Sequence, residues 1–120
     1  MQDFRKLKVW DRSCALVRQI YSITTAFPLE ESWGVTVQLR RAAVSVSSSI
    51  AEGCGRKGGA DFNRFLFIAV GSASEVECCL EVSFQLGFLK EGDRGAAIAA
   101  MTEVRRMLGA LIWTLTTGNG

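Results

Sequence analysis

Histidine is absent from the 120-residue chain, so any chemistry must come from serines, cysteines, carboxylates and basic side chains. Four serines crowd one stretch, at Ser45, Ser47, Ser48 and Ser49. A serine nucleophile needs a base within hydrogen-bond reach, and with no imidazole none is at hand. Cys14, Cys54, Cys78 and Cys79 form no CxxC pair, and the adjacent Cys78 and Cys79 cannot both face one core. Structural zinc takes four closely spaced thiolate or imidazole ligands, so no metal is expected. The thiols read as buried or half-buried groups in a reducing cytoplasm. Di-iron bundles use Glu-x-x-His pairs. Here Glu75 and Glu77 are two apart and diverge on a helix, which leaves no carboxylate clamp. No catalytic constellation, metal site or cofactor site emerges, and enzyme activity is not expected.

The cations offer a different chemistry. The first segment carries Arg5, Lys6, Lys8, Arg12 and Arg18 against only Asp3 and Asp11. Residues 54–60, CGRKGGA, form a glycine-rich basic loop of the kind that holds phosphate through backbone amides. The Walker pattern is missing and no strand precedes it, so it reads as a helix-to-helix turn with Arg56 and Lys57 free to meet an anion. A net charge of +2 neither requires nor excludes nucleic acid, because a local patch matters more than the sum.

Four amphipathic segments must position these groups. In the first, Leu7, Trp10, Cys14, Val17, Tyr21 and Thr24 step by threes and fours, a seam for helix packing. Phe27-Pro28, with the only proline, breaks it. The second begins near Pro28 with Glu30 and Glu31 in its first turn, is interrupted at Trp33-Gly34, and resumes at Val35. Leu39, Ala42, Ala43, Val46 and Ile50 form its apolar face, and Gly53 and Gly55 end it. Its serines, poor helix formers, are expected to bond back to the preceding turn.

In the third segment Phe62, Phe65, Leu66, Ala69, Ala73, Val76, Leu80 and Phe84 make a wide stripe. Phe67 and Ile68 extend it towards a second buried face, and Gly87 closes the helix. The fourth places Ala97, Met101, Val104, Leu108, Leu111 and Leu115 on one side. Ile112 and Trp113 fall off that seam, and exposed apolar surface of this kind signals a partner. The tail Gly118-Asn119-Gly120 is expected to fray.

The segments predict helices over about 5–26, 29–53, 60–86 and 93–117 in one domain spanning 1–120. With no strand pattern, the expected class is all-α, an antiparallel up-and-down four-helix bundle. No run of 18 apolar residues or secretory leader is visible, so a cytoplasmic location without a membrane span is expected.

Several of these residues also carry a resemblance. Phe27-Pro28, Glu31, Gln38, Arg40-Arg41, Ala51-Glu52-Gly53, Arg56, Phe65-Leu66, Ala69, Gly71-Ser72 and Glu75 form a specific combination. With them, the chain resembles the bacterial 23S ribosomal-RNA intervening-sequence proteins, whose relatives include the accessory variability protein of diversity-generating retroelements. It departs from their pattern at Ser47 and Ser49, where proline and asparagine are frequent, and at Cys54, where an aromatic residue is frequent.

The resemblance implies a helical bundle assembled as a ring-like or barrel-like homo-oligomer, a pentamer, without enzymatic activity. For the retroelement relatives it implies a basic barrel that binds nucleic acid and a reverse transcriptase. Arg41, Glu52 and Glu75, with Arg56, then read either as a conduit for function or as a buried ion-pair network between helices and subunits. Burial of ion pairs favours the structural reading, since such pairs specify geometry. Arg5, Lys6, Lys8, Arg12, Arg40, Arg56, Lys57 and Arg64 are the better candidates for contact with RNA or DNA, and repetition in an oligomer would multiply a modest patch. The competing expectation is a structural or protein-binding scaffold with no affinity for nucleic acid, accessory for example to a reverse transcriptase.

Overall fold

A computed structural model describes residues 2–118. Four helices, α1 (Lys8–Thr24), α2 (Val35–Cys54), α3 (Gly59–Gln85) and α4 (Glu91–Thr117), make the main regular framework of those residues. Sequence neighbours pack side by side, α4 closes back onto α1, and the backbones of the diagonal pairs stay apart. The result is an up-and-down bundle of 45 × 23 × 20 Å.

Short 3₁₀ turns precede two of the helices. Asp3 caps the turn Phe4–Lys6 by accepting from the Arg5 backbone N–H at 3.1 Å, and the extended Leu7 separates that turn from α1. The helix expected over 29–53 splits. Leu29–Glu31 forms a 3₁₀ turn, and α2 starts only after Gly34. Glu31 then supplies α2's missing cap, its Oε1 accepting from the Val35 N–H at 3.3 Å. The expected fraying concerns Asn119 and Gly120, which lie outside the described residues; Gly118 caps α4 in the left-handed region, φ +74°.

The stripe expected on α1 is displaced by about a third of a turn, one residue in 3.6. Val9, Ser13, Leu16, Ile20 and Thr24 are buried, Trp10, Cys14 and Val17 flank them, and Tyr21 is exposed. Thr24 lies on the inner face as expected, Ser13 is the hydroxyl that conceals the pattern, and both satisfy themselves on the preceding turn. Thr24 donates to the Ile20 carbonyl at 2.7 Å and Ser13 to the Trp10 carbonyl at 2.6 Å. Trp10 turns aside onto Phe4, ring centroids 5.0 Å apart and edge to face.

The α2 stripe is buried as expected, with Leu39, Ala43, Val46 and Ile50 fully enclosed. Its serines behave differently from expectation. Ser48 bonds back to the Ser45 carbonyl at 3.4 Å, whereas Ser45 pairs with Ser72 of α3 at 2.8 Å and Ser47 with Ser13 of α1 at 2.9 Å. Small hydroxyls therefore tie α2 to both neighbours.

Gly53 does not end the helix but sits inside it, buried against α3. A methyl there would lie 2.9 Å from Phe62 Cδ1 and 3.0 Å from Phe65 Cβ. The glycine sets how closely α2 and α3 approach.

On α3, Phe62, Phe65, Leu66, Ala69, Ala73, Val76 and Leu80 fill the core as expected, but Phe84 is 37% exposed under the Arg94 guanidinium. The second face does not close: Phe67 and Ile68 are exposed. Gly87, at φ +82°, closes the helix, the Phe88 N–H reaching the Ser83 carbonyl at 2.9 Å and Leu89 tucking into the core. On α4, Ala97, Met101, Val104 and Leu108 are buried, while Leu111 and Leu115 are half-buried near the helix end.

Candidate nucleic-acid interface

The antiparallel order decides where the charges go. One end of the bundle gathers the start of α1, the α2–α3 turn and the end of α4. Seven of the eight candidate cations lie there: Arg5, Lys6, Lys8, Arg12, Arg56, Lys57 and Arg64. Four acids, Asp3, Asp11, Glu52 and Asp61, share that end, leaving it positive. The opposite end holds Arg40, Arg41, Lys90 and Arg94 against Glu30, Glu31, Glu81, Glu91 and Asp93, and is slightly negative. Residues far apart in sequence thus make a bundle polarised along its axis.

Not all seven cations are free. Arg56 pairs with Glu52 at 3.0 Å, approaches Asp61 at 4.0 Å and lies over the Phe65 ring at 4.7 Å. Arg64 grips Asp61 at 3.0 Å and covers the same ring at 4.5 Å, so two guanidiniums share one phenyl ring. Arg5 pairs with Asp3 at 3.1 Å, and the Arg5 backbone N–H with its guanidinium holds the Asp3 carboxyl below its ordinary value. Lys6, Lys8, Arg12 and Lys57 are exposed and make no ion pair among the described residues.

Gly58, at φ +85°, turns the chain into α3, and no side chain caps that helix. Gly58 and Gly59, at the start of that helix, line a cleft of about 230 Å³ with Arg56, Gln2, Cys54 and Phe62.

Arg40 lies elsewhere, about 24 Å from Arg56 along α2 at 1.5 Å per residue. Its Nε donates to Thr24 Oγ1 at 2.8 Å, a terminal nitrogen donates to the Tyr21 carbonyl at 3.3 Å, and its guanidinium covers the Tyr21 ring at 4.4 Å. Those bonds spend the guanidinium on the last turn of α1.

The three residues read as a buried network are exposed in the single chain. Glu52 pairs with Arg56, whereas Arg41 and Glu75 make no ion pair with one another or any other described residue. Both line one cleft, about 560 Å³, between α2 and α3, with Trp33, Gln38 and Ser45. Sequence reasoning missed the pairs that join α3 to α4: Glu77 with Arg105 at 2.8 Å and Glu81 with Arg94 at 2.9 Å. Only the register of two long helices reveals them.

The four cysteines are free. Burial pushes the Cys54 and Cys79 thiols above their ordinary value. No group of three or more metal-binding side chains occurs among the described residues, and no helix there is long and apolar enough to cross a membrane.

Known structures and sequences add to this geometry. A crystal structure of a protein of unknown function from Bacteroides thetaiotaomicron, assigned to the S23 ribosomal protein family, superposes with a TM-score of 0.78 at 23% identity. The match covers 87% of this chain and 97% of that one, and shows the shared fold. No curated protein is detectably similar in sequence. The family described as 23S rRNA-intervening sequence protein matches residues 5–110, so the chain belongs to that family.

Proposed function

We propose that the protein is a non-catalytic, homo-oligomeric helical bundle, a pentamer, that binds RNA or DNA through its positive end. The observation that carries this reading is the gathering of cations from α1 and the α2–α3 turn beside the uncapped start of α3. Lys6, Lys8 and Lys57 are free to neutralise phosphates, while Arg12 shares a cleft with Glu103 and acts on its carboxyl. Repetition of the end in an oligomer multiplies a patch that is modest in one chain.

A second reading has its own support. Arg5, Arg56 and Arg64 are held by carboxylates, and Arg40 is committed to α1. A scaffold that contacts only protein, such as a reverse transcriptase, would leave the cations in this balanced state.

Fluorescence anisotropy with labelled RNA and DNA, titrated at several salt concentrations, separates the two. Saturable binding whose logarithm falls linearly with log salt supports phosphate contact. Absence of binding at low salt rejects it and leaves the protein-binding scaffold.

A further inference from the structure

Arg41 and Glu75, which a buried network was expected to absorb, are left over in the cleft between α2 and α3. Register puts them there. Ser45 of α2 and Ser72 of α3 meet across the seam at 2.8 Å. One turn back along α2 stands Arg41, and one turn on along α3 stands Glu75. Because the two helices run antiparallel, both steps go the same way. Charges nearby are spent elsewhere, Arg40 on the last turn of α1 and Glu77 on Arg105 of α4. Arg41 and Glu75 make no ion pair with one another or any other described residue, although they line one cleft.

The cleft has the makeup of a small-ligand site. Its volume, about 560 Å³, suits a ligand of nucleotide size, and apolar Val37 and Ala42 line it beside a few convergent polar groups. Trp33, in the link between the 3₁₀ turn and α2, also lines it. Its side chain is 91% exposed and packs on no ring or guanidinium of the described residues. A broad indole face held open beside a free cation and a free anion is a stacking surface for a planar ligand with polar edges.

Hydrogen-bond chemistry selects the ligand. A carboxylate only accepts and a guanidinium only donates, each through two atoms at once. The partner must therefore present two adjacent donors on one edge and two adjacent acceptors on another. Among the nucleobases guanine does so, with N1–H and N2–H for the carboxylate and O6 and N7 for the guanidinium. Adenine, cytosine and uracil each set a lone pair beside their donors, which repels the second carboxylate oxygen. A zwitterionic amino acid would answer both charges but leave the indole face unused.

We propose that this cleft binds an unstacked guanine base, with Trp33 stacked on its face, Glu75 accepting from N1–H and N2–H, and Arg41 donating to O6 and N7. The base comes from single-stranded nucleic acid or from a free guanine nucleotide, and the contacts are the same. In its strand form the inference rests on the nucleic-acid reading above and adds a base preference to it. Arg41 lies about 22 Å from Arg56 along α2 at 1.5 Å per residue. A strand held at the positive end covers that distance in about seven nucleotides even when stacked at ~3.4 Å each.

The test uses the full chain and two kinds of probe. Calorimetric titration with guanosine and adenosine monophosphate reads the free nucleotide. Anisotropy reads the strand, with uridine-rich single strands long enough to reach both sites and differing only in one guanine or adenine. Guanine is expected to bind at least about tenfold more tightly than adenine in one arm or both. Glu75→Gln, a change of the same size on an exposed side chain, should abolish that preference with helical circular dichroism unchanged, because its amide N–H₂ would face donors. Trp33→Ala should weaken guanine binding by at least about fivefold. Selective binding of the monophosphate without binding of strands supports the cleft, assigns it a free nucleotide and rejects the nucleic-acid reading. Strands bound equally with guanine or adenine, and no preference between the monophosphates, overturn the cleft and leave the positive end standing. A preference that survives Glu75→Gln overturns the cleft as well. No binding of any probe overturns both.

Discussion

Arg40 and Thr24 stand 16 residues apart, and the 2.8 Å bond from Arg40 Nε to Thr24 Oγ1 fastens the second helix to the end of the first. Thr24 itself donates to the Ile20 carbonyl, so the hydroxyl relays the arginine's grip into the α1 backbone. Arg40→Ala is expected to lower stability by about 1–2 kcal/mol, from lost charge-assisted hydrogen bonds and the Tyr21 stack. Arg40→Lys should recover only part, because an ammonium cannot stack and bond in the same plane. Urea unfolding of the three proteins gives the comparison. A loss in nucleic-acid affinity larger than that from Lys57→Ala would return Arg40 to the interface.

Gly53 is expected to tolerate nothing larger. Gly53→Ala forces a methyl against Phe62 and Phe65, and overpacking of that kind costs about 1–3 kcal/mol. Gly71→Ala, on the same pair of helices but facing open space, should be neutral or stabilising in the dilute chain. Thermal melts of both variants at low protein concentration decide it; equal effects would mean that the α2–α3 contact is not set by Gly53.

The free and the engaged cations should separate in a salt titration. Removing Lys6, Lys8 or Lys57 is expected to lower the slope of log affinity against log salt by about 0.7–0.9 per lost phosphate contact. Removing Arg64, which is committed to Asp61 and Phe65, should leave the slope nearly unchanged. The reverse order would place the contact surface on the arginines.

Alkaline pH should loosen the fold through its buried thiols. Cys54 and Cys79 are held above the ordinary value of 9.0 by burial, whereas the unfolded chain ionises at that value. The unfolded state then binds fewer protons, so this part of the stability is whole below pH 9.0 and is lost as pH rises above it. Urea midpoints below and well above that value, compared between wild type and Cys79→Ala, should show a smaller decline in the variant. An identical decline would assign the effect to other groups.

Much of the fold was legible because the apolar stripes of α2, α3 and α4 keep helical spacing. Leu39 to Ile50 on α2 and Ala97 to Leu108 on α4 could be read directly. The α1 stripe could not, apart from Thr24, because Ser13 on its inner face counts as polar until its bond to the preceding turn is seen. Gly53 looked like a terminator for a related reason. A glycine signals a helix end or a close approach equally well, and only Phe62 across the seam distinguishes them.

The candidate interface was legible as residue types, not as a place. Sequence order scattered the cations from Arg5 to Arg64, and antiparallel packing gathered seven while sending Arg40 to the far end. The pairs of Arg56 with Glu52 and of Arg64 with Asp61 are four and three residues apart and so were within reach of sequence spacing, whereas the approach of Arg56 to Asp61 depends on the α2–α3 turn.

The hydroxyl pairs Ser13 with Ser47 and Ser45 with Ser72 bear on how such a sequence drifts. Each pair is a small lock whose halves sit on different helices. Changing one half alone strands its partner or wedges the helices apart, so the lineage must alter both together. Positions 13 and 47, and positions 45 and 72, should therefore be inherited as couples, and homologous chains that differ at one member should differ at the other.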